Sequence, residues 1–105
     1  MKLVAVTACP TGIAHTYMAA EKLEQTAKKL GHEIKVETQG AMGIENELNA
    51  ADISGAAAAI FAVDIAIEAE ERFARLPRIK VPVQDALKDP LGIFEKVNVV
   101  LAKKG

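Results

Sequence analysis

The stretch TACPTGIAHT, Thr7 to Thr16, holds the single cysteine of the chain, followed at once by a proline and soon by a glycine. A thiol between an apolar run and the start of a helix-like pattern sits in a particular field. Backbone N–H groups of the connecting loop and the unsatisfied donors of a first helical turn form a concave anion site. That field favours thiolate over thiol and makes Cys9 a nucleophile. Pro10 fixes the first step of the loop, and Gly12 permits a positive φ and a close approach of main chain to an oxyanion. Thr11 and Thr16 add hydroxyl donors. The group reads as a holder for a tetrahedral oxyanion whose central atom lies against sulfur. A lone cysteine is commonly a small core residue, but packing alone needs no Pro, Gly and two Thr at the mouth of a helix.

Three other side chains are candidates. His15 falls in a first helical turn, where it reads as an exposed passenger whose protonation the helix dipole disfavours. His32, after Gly31, reads as a surface loop residue. Cys9, His15 and His32 have neither the number nor the spacing of zinc ligands, so no metal is expected. Asp64 closes an apolar run beside the proposed pocket, and is either a helix cap or a group that shapes the pocket's rim.

The elements that must position Cys9 follow from periodicity. Leu3 to Val6 is continuously apolar, as a strand buried on both faces should be. From Ala14 the period becomes helical, with Ala20, Leu23, Ala27 and Leu30 inward and Gly31 as the stop. Glu33 to Thr38 alternates, with Ile34, Val36 and Thr38 on one face and Lys35 and Glu37 on the other, which predicts a half-exposed strand. After the QGAMG turn, Ile44, Leu48 and Ala51 suggest a short helix, broken where Asn49 can cap AADIS. Ala56 to Val63 is a second fully apolar strand. A charged helix should follow, with Ala69, Phe73 and Leu76 inward and Glu68, Glu70, Glu71 and Arg72 outward. Arg78 to Val83 alternates again, and Pro82 requires an edge. The last helix should start at Asp89 as N-cap and Pro90, burying Leu91, Phe94, Val97 and Leu101.

Strand and helix in alternation predict an α/β fold: a small three-layer α/β/α sandwich around a four-stranded parallel sheet. The two apolar strands belong in the middle, and right-handed crossovers then give the order 2-1-3-4. Ligands bind such sheets at the carboxyl ends of the strands, where the chain reverses direction between strands one and three. Cys9 lies on the loop leaving strand one at that point.

Bulk composition removes several functions. With 105 residues, 50% of them hydrophobic, the chain should form one globular domain over residues 1–105. A net charge of −1 and 4% aromatic residues give no basis for a nucleic-acid partner. The longest uncharged apolar run, Ile53 to Val63, is eleven residues, too short to span a bilayer. The N-terminus enters a strand pattern directly, without the profile of a secretory signal. One cysteine forms no internal disulfide, so a reducing cytoplasm is the expected compartment.

The stretches TACPTGIAHTYMAAEKLE, ETQGAMGIENEL and AVDIAIEAEERF, with the small parallel α/β layout, closely resemble the IIB component of fructose-type sugar phosphotransferase systems. The resemblance covers nearly the whole chain; the tail after Phe73 follows the pattern less closely. It implies that Cys9 accepts a phosphoryl group from a phosphohistidine on a IIA component and passes it to a sugar held by a membrane-embedded IIC component. The chain would then work in the cytoplasm, at the inner face of the membrane, without spanning it. It also carries over a phosphate-binding loop made of Pro10, Thr11, Gly12, Ile13, Ala14, His15 and Thr16, and it calls for no cofactor. Two partners must reach one sulfur in turn, so Cys9 should lie in a shallow, exposed site.

Two other classes compete. Low-molecular-weight tyrosine phosphatases place C-x5-R-[S/T] after the first strand of a similar sheet, and Asp89-Pro90 resembles their acid loop. Here the arginine position is His15, and a neutral imidazole does not supply a bidentate fork. A flavin- or nucleotide-binding module lacks the Walker lysine and the G-x-G-x-x-G pattern, and it leaves Cys9 unexplained.

Overall fold

The computed structural model describes residues 1–9, 13–40 and 43–104. Its elements are β1 (Lys2–Ala8), α1 (Ile13–Lys29), β2 (Glu33–Gly40), β3 (Gly43–Glu45), α2 (Ala50–Ser54), β4 (Ala58–Val63), a 3-10 turn (Glu70–Phe73), β5 (Arg78–Val81), α3 (Val83–Lys88) and α4 (Pro90–Lys104). Among the described residues the sheet has the order β3-β2-β1-β4-β5. The four parallel strands stand in the expected order, with the apolar β1 and β4 at the centre.

A fifth strand is the first departure. Gly43–Glu45 pairs antiparallel with the end of β2, Thr38 opposite Glu45 and Gly40 opposite Gly43. Ile44 therefore belongs to an edge strand and not to a short helix. The helix begins later, where Asn49 and Asp52 form a reciprocal capping box, each side chain accepting from the other's N–H.

The two faces of the sheet bury two cores. Leu3, Ala5, Ile60 and Ile79 point to one face and pack with Leu23 and Ala27 of α1 and Ile93, Phe94 and Val97 of α4. Val4, Val6, Phe61 and Val63 point to the other, against Leu48, Ile53 and Phe73. Period-two alternation within an all-apolar strand thus feeds both layers at once. α1 ends in a Schellman motif, with the His32 N–H donating to the Ala27 carbonyl and the Gly31 N–H to that of Lys28, while Gly31 sits at φ +79. That stop points Leu30 outward, 44% exposed, against its expected place in the core.

Among the described residues the second face carries no long helix. Between β4 and β5 the chain forms only the 3-10 turn, where the Glu68 carbonyl is taken by the Arg72 and Gln39 side chains and the Glu68 N–H by the Gln39 amide oxygen. Phe73 is fully buried as expected, edge-on to Phe61 at 5.0 Å between centroids. Arg72 turns inward instead of outward. Pro82 stands outside the edge strand β5 and opens α3, an element the alternating pattern hid. In α4, Asp89 accepts from the Gly92 N–H at 3.1 Å, as an N-cap does. Leu91 is exposed and Ile93 takes its place in the core, since the capped first turn sets the face of α4.

Candidate active site

Cys9 follows the last residue of β1, and both neighbouring strands end at the same level. Ala8 is in register with Gln39 of β2 and Val63 of β4, and the Asp64 N–H donates to the Ala8 carbonyl at 3.0 Å. From β1 the chain goes to β2 on one side and returns past it to β4 on the other, so Cys9 stands at the reversal point of the sheet. The first turn of α1 is pinned over this edge by Thr7, whose buried hydroxyl donates to the Thr16 carbonyl at 3.1 Å. Thr16 is buried at that joint. Ala14 and His15 are exposed on the same turn. Pro10, Thr11 and Gly12 lie outside the described residues, as does the side chain of Ile13.

Cys9 is 7% exposed, which corrects the expectation of an open site. Its position at a strand end places it in the core cluster that includes Ala19, Ala20 and Leu23, so the thiol both packs and borders solvent. Two clefts meet at Cys9. One, of about 270 Å³, runs between Gln39, Gly40 and Ile44 on one wall and Ile65, Ala66 and Glu68 on the other. The second, of about 350 Å³, lies between His15 of α1 and Pro82, Gln84 and Lys88 around α3, with Asp64 on its wall. Both fall near or below the low end of small-molecule pockets, roughly 300–1,000 Å³. Such clefts suit a small group delivered by a docking surface better than an engulfed ligand.

Asp64 meets a helix from a later part of the chain. Its carboxylate accepts from the Val83 N–H at 3.2 Å, supplying the α3 N-terminus with the acceptor that Pro82 lacks, and it borders the second cleft. His32 is elsewhere: partly buried, its ring stacks on Phe94 at 6.1 Å, which corrects its reading as a surface residue. Among the described residues no group of three His, Cys, Asp or Glu side chains is placed to hold a metal ion.

The periodic reading missed one polar group. Glu37 is wholly buried and receives Arg72 bidentately, Nη1 to Oε1 and Nη2 to Oε2, each at 2.9 Å. The Leu48 N–H donates to Oε1 at 2.9 Å, and the Gln39 Nε2 to Oε2 at 2.7 Å. Burial pushes the Glu37 carboxyl up, but the bonds from Arg72, Gln39 and Leu48 outweigh it and hold it below the ordinary carboxylate range. Strand alternation assigned Glu37 to water because β2 was taken as uniformly half-exposed. Its first half is, but residues 36–39 are all buried: Val36 packs in the α1 core, while Glu37 and Gln39 meet Leu48, Glu68 and Arg72 on the other face. Glu37 and Arg72 are 35 positions apart, so no local signal pairs them.

Sheet order, crossovers and a strand-end thiol place the chain among small α/β proteins that work at the reversal point of a parallel sheet. A family model described as PTS system, Lactose/Cellobiose specific IIB subunit matches residues 4–96. The PTS fructose-like EIIB component 2 of Escherichia coli K12 is 52% identical over 102 residues, covering 97% of this chain and 96% of that protein. EIIB component 1 of the same strain is 44% identical over 103 residues, covering 98% and 95%. A crystal structure of a domain from the fructose-specific IIABC component of Borrelia burgdorferi superposes with a TM-score of 0.86 at 48% identity, covering 90% of each chain. The chain belongs to the IIB family of the phosphotransferase system and is a phosphotransferase. No described helix is long and apolar enough to cross a membrane.

Proposed function

We propose that residues 1–105 act as one IIB domain in which Cys9 relays a phosphoryl group from a phosphohistidine of a IIA component to a sugar bound by a membrane IIC component. The observation that carries this reading is the place of Cys9, at the reversal point of the sheet, under the first turn of α1, where two clefts meet. In the first step a sulfur lone pair forms the S–P bond as the N–P bond of the donor breaks; the imidazole keeps the electron pair and takes up the thiol proton. In the second, the sugar hydroxyl oxygen bonds phosphorus, sulfur leaves as thiolate, and the hydroxyl proton passes to a base outside this chain. Both steps place negative charge on three equatorial oxygens, which main-chain donors of the Pro10 to Thr16 loop and the first turn of α1 stabilise without a metal. The names of the relatives favour fructose as the sugar. Work with these partners puts the chain in the cytoplasm, at the inner face of the membrane.

The test is incubation with a phosphorylated IIA component of a fructose-type system, followed by mass spectrometry. One phosphate on Cys9, absent from Cys9→Ser, is the expected result. Label on His15 or His32, or persistent label in Cys9→Ser, rejects it. Continuous turnover of an aryl phosphate by the isolated chain would instead favour a cysteine phosphatase.

A further inference from the structure

The Cys9 cleft bounded by Ile65, Ala66 and Glu68 has a wall made of neither helix nor strand. Gln39 grips that wall. It is 7% exposed, stands in register with Ala8 and lines the same cleft. Its amide oxygen accepts from the Glu68 N–H at 2.8 Å, and its Nε2 donates to the Glu68 carbonyl at 3.2 Å and to Glu37 Oε2 at 2.7 Å. Reversing the amide would set oxygen against carboxylate and NH2 against N–H, so Glu37 dictates which way Gln39 points. Arg72 in turn holds Glu37, and its Nε and Nη2 reach the carbonyls of Ala69 and Glu68. A chain of fixed groups thus runs from the buried ion pair to the rim of the cleft, where Ile65 is 41% exposed.

Resting on the relay reading above, we propose that Gln39 is a positioning residue for phosphoryl transfer at Cys9. It holds the 65–68 segment in the arrangement that the docking surface of the phosphorylated donor meets. Released, the segment must be ordered by the donor itself, and that entropy is charged to docking. Gln39 does not touch the reacting atoms, so its loss acts on donor binding and spares the maximal rate.

The experiment follows phosphate label on Cys9 against the concentration of a phosphorylated IIA component of a fructose-type system. Unaltered protein must first acquire label on Cys9; failure there overturns the relay, separately from the clamp. Gln39→Glu removes both donors and sets a carboxyl against Glu37. Relative to unaltered protein at each pH, the half-saturating donor concentration should rise about tenfold near pH 8, with the maximal rate held within about threefold. Lowering the pH to about 6 should restore donor binding, because a carboxyl beside Glu37 has a raised pKa and, once protonated, donates to Glu37 while accepting from Glu68. The charged groups beside that position are Glu37 on β2 and Arg72 from the 3-10 turn; Glu68 meets it through its backbone, and Cys9 lines the same cleft. A purely structural role shifts the melting curve without this pH-dependent split. Unchanged half-saturation, or a loss confined to the maximal rate, overturns the proposal. If the variant does not fold, amide exchange in unaltered protein decides: the Glu68 N–H should be protected, and exchange at open-loop speed refutes the clamp.

Discussion

Two polar centres at the carboxyl edge of the sheet are built in opposite ways. Cys9 is one side chain whose setting is local: the end of β1 and the first turn of α1. The Glu37–Arg72 centre joins groups 35 positions apart, with Gln39, Leu48 and the carbonyls around Glu68 completing it. The first borders two clefts although its side chain is nearly buried; the second is buried and saturated with hydrogen bonds. Cys9 owes its place to one chain crossing. Holding the walls of its cleft takes a network drawn from three segments.

Substitutions should separate these contributions, beginning with the largest. Cys9→Ser should abolish label transfer while shifting the melting temperature by only a few degrees, since a hydroxyl replaces a thiol of nearly the same shape. A melting point that collapses along with activity would erase the distinction between the two centres. Arg72→Met should do the reverse in kind. It leaves a buried, uncompensated carboxylate and should cost about 3–5 kcal/mol in a urea titration. Adding Glu37→Met to Arg72→Met should recover much of that loss, and no recovery would show that the pair is not coupled.

The pH dependence of stability comes next. Glu37 is held below its ordinary range, so the folded protein binds that proton less readily than the unfolded chain does. Its stabilisation is then fully present above the unfolded-state value of about 4.3, and is lost as the pH falls through the depressed folded-state value. Acid melts of the unaltered protein should show this loss, and the Glu37→Met/Arg72→Met pair should lack it. Asp64 gives a smaller effect. Asp64→Ala should cost about 1 kcal/mol by stripping the acceptor from the Val83 N–H, and Asp64→Asn should retain most of it. If the two variants melt alike, Asp64 does not act as a cap. The smallest effect is at Tyr17, whose hydroxyl donates to Glu45 and thereby ties α1 to β3. That bond, with the carboxylate's charge, raises the Tyr17 phenol above its ordinary value. Spectrophotometric titration should find it ionising at lower pH in Glu45→Gln.

The legible parts of the molecule share a property. The buried centre of the sheet, the stop of α1 at Gly31, the capping box at Asn49 and the Asp89-Pro90 start of α4 are each settled within a few residues. The errors also share one. β3, the failed helix at Glu68 to Leu76 and the inward turn of Arg72 all depend on what another segment covers or bonds. Cys9 shows both: its location at the strand end is readable, whereas its 7% exposure depends on the core cluster it joins, which draws on several elements.

The amino-acid sequence by itself determined the four parallel strands and their order, the position of the thiol and the family to which the chain belongs. These rest on apolar periodicity, on capping and turn residues, and on a local motif, all of which act over one or two turns of chain. Only the tertiary structure decided that β2 is covered along its second half, that Glu37 meets Arg72 there, and that Gln39 reaches the wall beside Cys9. The physical reason is that the burial of a charged group depends on a partner delivered from elsewhere in the chain. Until that partner arrives, water is the better solvent for both charges.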